Sequence, residues 1–466
     1  MIRINKDFIE NGIPKELILK CIKLHKKDLP RLTRNKDYYL GKHKILNKTK
    51  RDNDPNNKIV NNFAKYISDT VCGYFIGNPV TISNKNNKDI SSLLDVLERI
   101  NINTHNADLE KDLSIYGVAY ELLYADEESK LKIAILRPEN TFVVYSNEIG
   151  DNSLFAVNYY KDLDIDLKAK GYIINVYTDK EILTYYSRDL TDIALQQTEQ
   201  HFFERVPITQ FLNNAEAKGD FEGVISQIDA YNTLMSDRVN DKEKFVDSLL
   251  VVTGFSFDDE GEEVNRKIMK NRILELSGED GDVKYVTKTL NETETQVLAN
   301  ALKDDIHKFS HTPDFTDEKF SGNVSGVAMK YKLSSLEELA KVKERFFIKG
   351  IKRRLKLVTT ILYKKKMSFY EIEDLQITIP RTLPANDLEL AQIVNLLNNQ
   401  ASSETLLAQL PFIEDPVKER EKLKAERKED EENTAQVFKE LNYSDLGGWL
   451  NEIIYVLDKK SLWIRK

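Results

Sequence analysis

The chain has 466 residues, 41% of them hydrophobic and 31% charged, with 68 Lys and Arg against 76 Asp and Glu for a formal net charge of −8. Length and apolar content suit two to four domains with buried cores, and the acidic balance argues against a surface that coats DNA throughout. Cys21 and Cys72 are too few for a disulfide framework and read as two buried thiols in a reducing compartment, while no apolar run approaches a membrane span and the N-terminus lacks the apolar region of a secretion signal.

Charge is uneven along the chain. Residues 20–58 hold thirteen Lys and Arg against four acids and 341–366 hold eleven against one, whereas acids gather at 258–263, 279–282 and 414–432. A basic run is either a solvated, structural face or a phosphate-binding surface; both alternatives stand at this stage, with the structural one preferred.

In chain order, Ile59, Phe63, Ile67, Val71 and Tyr74 recur at helical spacing and predict a helix over 55–76, stopped by Gly77 and Pro79 before a short strand, VTIS. A second helical pattern covers roughly 89–115. Six β-branched or aromatic runs between 118 and 187 (VAYELLY, LKIAIL, TFVVYS, LFAVNYY, GYIINVY and ILTYYS) predict one antiparallel sheet, closed by Pro207. After Asp220, the stripe Val224, Ile228, Tyr231, Met235, Val239, Phe245 and Leu249 predicts a helix to about Ser248. Residues 249–288 read as a small inserted unit with strand-like LLVVTGFSF, acidic turns DDEGEE and GEDGD, and a short helix around VNRKIMKNRI. Asn291 and Glu294 form a capping box for the next helix, whose apolar stripe is Val297, Leu298, Ala301, Leu302, Ile306 and Phe309. The inserted unit thus projects on two helical stalks.

Pro313 ends the second stalk, and a polar, glycine-spaced loop leads into the longest helical pattern of the chain. From about Asn323 to Lys366, the positions Met329, Leu333, Leu336, Ala340, Phe347, Ile351, Leu355, Val358 and Leu362 predict one helix on the order of 65 Å long, with Gly350 a candidate bend. FYEIEDLQITIP then reads as strand, Pro380 and Pro384 mark a boundary, and the remainder is helical. Its charge-dense stretch DPVKEREKLKAERKEDEEN fits a solvated helix. The fold class is α+β.

Motifs for catalysis are missing. No phosphate-cradling GxxxxGKS/T, GxGxxG or Gly-x-Ser-x-Gly occurs, and His307 and His311, one helical turn apart, lack a signalled third ligand and the general base of HExxH. Neither an enzyme, nor a metal, nor a cofactor is expected.

Seven blocks carry a resemblance instead. YYLGKHKI at 38–45, NNKIVNNFAKYISDTVCGYFIGNPVTI at 56–82, SIYGVAYELLY at 114–124, VPITQFLNN and GDFEGVISQIDAYNTLMSD within 206–237, TPDFTDEKFSGNVSGVAMKYK, and SSETLLAQLPFIEDPVKEREKLKAER at 402–427 stand in that order. Together they resemble the SPP1-like family of tailed-phage portal proteins over roughly residues 35 to 430. The resemblance implies a portal fold, mainly α-helical, with an antiparallel β-rich wing at 1–219 and 326–395. It further implies stem helices at 220–248 and 289–312, a small α/β clip at 249–288, a tunnel loop at 313–325 and a helical crown at 396–466. Such proteins form a ring, most often of twelve subunits, at one capsid vertex, through which double-stranded DNA is packaged and ejected.

The implied partners are further copies of the chain, DNA, the large terminase subunit, head-completion or adaptor proteins, and major capsid and scaffolding proteins, with no membrane. The implied location is the virion, after assembly in the host bacterial cytoplasm. Carried onto this chain, the DNA-facing loop comprises Asp314, Phe315, Thr316, Asp317, Glu318, Lys319, Phe320, Ser321, Gly322 and Asn323. The docking residues of the clip are Phe255, Phe257, Asp258, Asp259, Glu260, Glu279, Asp280 and Asp282, and the hinge candidates are Pro313, Gly326 and Gly350. Another phage structural protein, a minor capsid component that binds DNA without forming a channel, is the alternative. A nuclease or NTPase comes third, without motif support.

Overall fold

The computed structural model describes residues 2–51, 54–150, 152–246, 249–253, 273–276, 282–286, 292–316, 326–365 and 370–381, then 416–440 and short pieces between 392 and 413. The chain divides into two compact units, Met1–Leu383 and Pro384–Lys466, at the boundary that Pro380 and Pro384 mark.

In the first unit, helices α1 (Lys15–Lys26), α2 (Leu29–Tyr39), α3 (Phe63–Ile76), α4 (Ser91–Arg99) and α5 (Ile102–Tyr116) precede most of the strands. The six predicted strands form, as β3 (Val118–Ala125), β4 (Leu131–Leu136), β5 (Thr141–Ser146), β6 (Ser153–Leu163), β7 (Ala169–Tyr177) and β8 (Glu181–Ser187), but they divide between two sheets. One sheet has the order β1-β5-β6-β7-β8-β9, where β1 (Ile2–Ile4) runs parallel to β5 and β9 (Ala194–Gln200) is the far edge. The other has the order β10-β3-β4, with β10 (Ile208–Leu212) antiparallel to β3. Pro207 therefore does not close the strand region; it introduces β10, and its carbonyl accepts from Leu123 N–H at 3.1 Å. A two-stranded sheet pairs β2 (Thr81–Asn84) with β14 (Leu375–Thr378).

The helix expected from residue 55 starts only at Phe63, where Asn62 Oδ1 caps it by accepting from Lys65 N–H at 3.0 Å. The preceding stretch is held extended by α6 (Ile225–Val246). Asn57 N–H donates to Asn240 Oδ1 at 2.7 Å, Ile59 N–H to Ser236 Oγ at 3.0 Å, and Asn61 N–H to Asn232 Oδ1 at 2.8 Å. Alternate residues of an extended chain recur every ~6.6 Å and every fourth helical residue every ~6 Å, so the two repeats nearly match over three rungs. The buried line of α6 is accordingly Ile228, Asn232, Ser236 and Asn240, one apolar residue and three polar ones, and the predicted Tyr231, Met235 and Val239 sit beside it half-buried.

The long helical pattern is realised as α8 (Gly326–Lys332) and α9 (Ser334–Lys364), separated at Leu333. Ser334 Oγ donates back to the Tyr331 carbonyl at 2.8 Å at this joint. Leu333, Leu336, Ala340, Phe347, Ile351, Leu355, Val358 and Leu362 are all buried, as their spacing predicts. Gly350 lies within α9 where a Cβ would stand 2.3 Å from the Phe211 ring of β10, so close helix–sheet packing accounts for glycine there.

Two members of the α9 stripe are cations. Lys343 and Arg354 are 2% and 1% exposed. Lys343 Nζ lies 2.6 Å from both Glu110 Oε1 of α5 and Asp220 Oδ2. Arg354 meets Glu121 of β3 through Nε and Nη2 and donates from Nη1 to Asn106 Oδ1 at 2.7 Å.

The second unit contains α10 (Ser403–Leu407) and α11 (Pro416–Glu440), tied by an Arg420–Glu404 ion pair.

Candidate functional site at the helix and loop junction

The two stalks pack as an antiparallel pair. Arg238 on α6 donates from Nε to Glu292 Oε2 at 3.0 Å and from Nη1 to Gln296 Oε1 at 3.0 Å, both on α7 (Glu292–Phe309), and Lys242 pairs with Glu292 at 3.1 Å. Asn291 lies outside the described residues, and with it the capping box. Of the predicted stripe of α7 only Ile306 is buried: Leu302 is half-buried, Ala301 is exposed, and Val297, Leu298 and Phe309 are 63%, 51% and 56% exposed, while Ala299, outside that stripe, is buried. An apolar helix face left in water by a single chain is a face that further protein can cover.

Between the stalks, β11 (Leu249–Thr253) pairs parallel with β12 (Ile273–Leu276) and antiparallel with β13 (Asp282–Val286), with Asp282 opposite Thr253. Phe255, Phe257, Asp258, Asp259, Glu260, Glu279 and Asp280 lie outside the described residues, as does the expected short helix.

At its C-terminus α7 turns sharply, with His311 in the left-handed region at φ 57°, so His311 does not share a helical face with His307. His307 Nδ1–H instead donates to the Thr312 carbonyl at 2.9 Å. The next residues are tied to α3. Tyr66 hydroxyl donates to the Pro313 carbonyl at 3.0 Å and accepts from Phe315 N–H at 3.1 Å. Asp314 pairs with Lys303 at 2.5 Å and accepts from Thr316 N–H at 3.0 Å; partial burial pushes its pKa up, but Lys303, Thr316 and the nearby His307 outweigh that and hold it at about 2. Phe63, Tyr66, Lys303, His307, Asp314 and Thr316 line a cavity of about 250 Å³ at this foot. The loop's first residues, Pro313 through Thr316, are thus anchored, Asp317 through Asn323 lie outside the described residues, and Gly326 opens α8.

Tyr66 carried no signal beyond a helical tyrosine in the sequence. Tyr66→Phe is expected to weaken the anchor by roughly 1 to 2 kcal/mol, the worth of two hydrogen bonds. Amide exchange at Phe315 and Thr316 should accelerate while α3 stays protected; unchanged exchange would mean that the hydroxyl does not hold the loop.

Much of the first basic tract is neutralised within the chain. Arg31 and Arg34 meet Glu222, Lys36 meets Glu139, and Lys48 and Lys50 meet Asp237. Among the described residues no cluster of three or more His, Cys, Asp or Glu could hold a metal ion, and no helix is long and apolar enough to cross a membrane.

Comparison with known proteins bears on what this junction belongs to. A family model described as phage portal protein, SPP1 Gp6-like, matches residues 18–433. The portal protein of Clostridium phage phiCD119 is 27% identical over 421 residues, covering 84% of this chain and 91% of that protein. The portal protein of Bacillus phage SPP1 is 23% identical over 395 residues, covering 80% and 77%. With the family model spanning most of its length, the chain belongs to the SPP1 Gp6-like family of phage portal proteins.

Proposed function

We propose that the chain assembles with copies of itself, most often twelve, into a ring at one capsid vertex, and that double-stranded DNA passes through its centre during packaging and ejection. The family match across residues 18–433 carries this reading, and the exposed Val297, Leu298 and Phe309 of α7 support it because a ring would cover them. In this reading α6 and α7 are the stem, 249–288 the clip, 313–325 the tunnel loop, 1–219 and 326–395 the wing, and 396–466 the crown. DNA must slide without sticking, and twelve chains at −8 sum to a charge of about −96 that opposes tight phosphate binding. Asp314 fits that task by pairing with Lys303, which takes up that cation's charge at the foot of the loop.

Negative-stain images of the purified protein should contain rings with a central hole. Deleting 315–322 should depress DNA packaging into proheads, and wild-type yield would remove the loop from the mechanism. The clip is the docking surface for the terminase before packaging and for head-completion proteins afterwards. Reversing the charge of Asp258, Asp259 and Glu260 should weaken both associations in pull-downs; unchanged capture would exclude these acids.

A further inference from the structure

Strand β6 has an unusual feature at each end. At its start, Ser153 joins Tyr145, Gln210, Lys349, Arg353 and Phe346 around a cavity of about 90 Å³ between β10 and α9. That volume admits a group as small as a carboxylate. Arg353 donates from Nη2 to Ser153 Oγ at 2.8 Å and to the Val206 carbonyl at 3.2 Å, and has no ion-pair partner among the described residues. Its neighbours on the same helix, Lys343 and Arg354, both have carboxylates. Burial lowers the Arg353 pKa, Tyr145 opposes this and the Arg205 charge adds to it. Thr209 Oγ1, also in the cavity lining, is buried without a hydrogen-bond partner. A half-buried cation beside an unpaired hydroxyl is a place that an anion would complete.

At the other end, the β6–β7 hairpin tip reads Leu163-Asp164-Ile165-Asp166-Leu167. Ile165 is 100% and Leu167 78% exposed, and Asp166 between them is exposed too. Asp164 closes the turn, its Oδ1 accepting from Lys168 N–H at 2.8 Å. Leu167 takes φ 60°, a left-handed conformation that a leucine rarely adopts. A strained turn that presents two aliphatic side chains and an acid to water is built for contact.

We infer that the hairpin tip of one copy docks into the Arg353 cavity of the next, with the Asp166 carboxylate at the guanidinium and Ile165 and Leu167 against the half-buried Leu212 and Phe346 at its rim. The two patches stand at opposite ends of an 11-residue strand, ~33 Å apart at about 3.3 Å per residue, and cannot meet within one chain. Distinct complementary patches on one molecule make a head-to-tail contact, the kind that closes into a ring. The inference rests on the ring reading and gives it a wing contact independent of the stem helices.

Sedimentation velocity across a concentration series tests it on the full-length protein. Asp166→Arg and Ile165→Ser, both on the exposed tip, should raise the concentration needed for assembly by about ten-fold or more. Arg353→Glu should do the same, and its combination with Asp166→Arg should recover much of the loss. Asp166→Cys with Lys349→Cys should give a ladder of covalent multimers on non-reducing gels. Rings that assemble at the wild-type concentration in Asp166→Arg and Ile165→Ser would overturn the contact and leave the ring reading intact. A wild-type chain that stays monomeric throughout would overturn both.

Discussion

Arg354→Ala is expected to lower the free energy of unfolding by about 3 to 5 kcal/mol, because it strands a carboxylate inside the protein. Glu121 is fully buried, and its oxygens lie 2.6 to 3.0 Å from the guanidinium. Burial pushes the Glu121 pKa up, and Arg354 together with His105, 3.1 Å away, reverses that and keeps the group anionic. The same guanidinium lies over the Phe211 ring at 5.3 Å, so the alanine also opens a cavity against β10. Denaturant unfolding at fixed protein concentration measures the loss. The double replacement Arg354→Met with Glu121→Leu removes both charges and should recover most of it. A single alanine variant within about 1 kcal/mol of wild type would show that this pair contributes little.

Lys343→Met should be nearly as damaging, and its damage should depend on pH. One ammonium stands between two carboxylates, so the buried group carries an excess negative charge when both are ionised. Burial pushes Glu110 up to about 7 from 4.5, with Lys343 working against that rise and Asp220 adding to it. A carboxyl whose folded pKa is raised binds its proton more tightly in the native state. Its contribution is therefore fully present below about 4.5 and is lost as pH climbs through about 7, a change on the order of 3 kcal/mol. Asp112, also raised to about 7 by burial and by Glu139 and Asp108, slopes the same way. Glu110→Gln should flatten the Glu110 share of that slope, so the difference from wild type isolates it. Lys343→Met should be worst at pH 8 and partly rescued at pH 5, when the remaining carboxylates can take up protons. Equal destabilisation at both pH values would mean that lost packing, not charge, is responsible.

These two cations also mark where sequence reading reached its limit. The α9 stripe was legible because aliphatic residues at helical spacing report a buried face directly. Lys343 and Arg354 fall on the same spacing, yet by residue type they belonged to a basic tract. Their acids sit on α5, on β3 and at Asp220, more than a hundred positions away, and periodicity says nothing about such partners. The six strands were equally legible and their division into two sheets was not, since period two records which face is buried and not which neighbour is paired. β9 escaped because Ala194–Gln200 is exposed along its length and polar after Leu195. The extended stretch before α3 could have been found from α6, where Asn232, Ser236 and Asn240 repeat at four-residue spacing on what should be an apolar face. At the loop junction the sequence located Pro313 and Gly326, but the Tyr66 anchor depends on α3 lying beside α7, which no local pattern encodes.

The three rungs between α6 and residues 57–61 bear on how force would travel through this protein. Rungs perpendicular to the helix axis share an axial pull and must break together, as layers do in shear, whereas a peeling strand would give way one bond at a time. The mismatch of ~0.6 Å per rung limits such a ladder to a few steps, and it also fixes the register, because a one-residue slip would present no acceptor to any of the three amides. Helix α6 can therefore be pushed or pulled along its axis only by carrying the chain segment that leads into α3 with it.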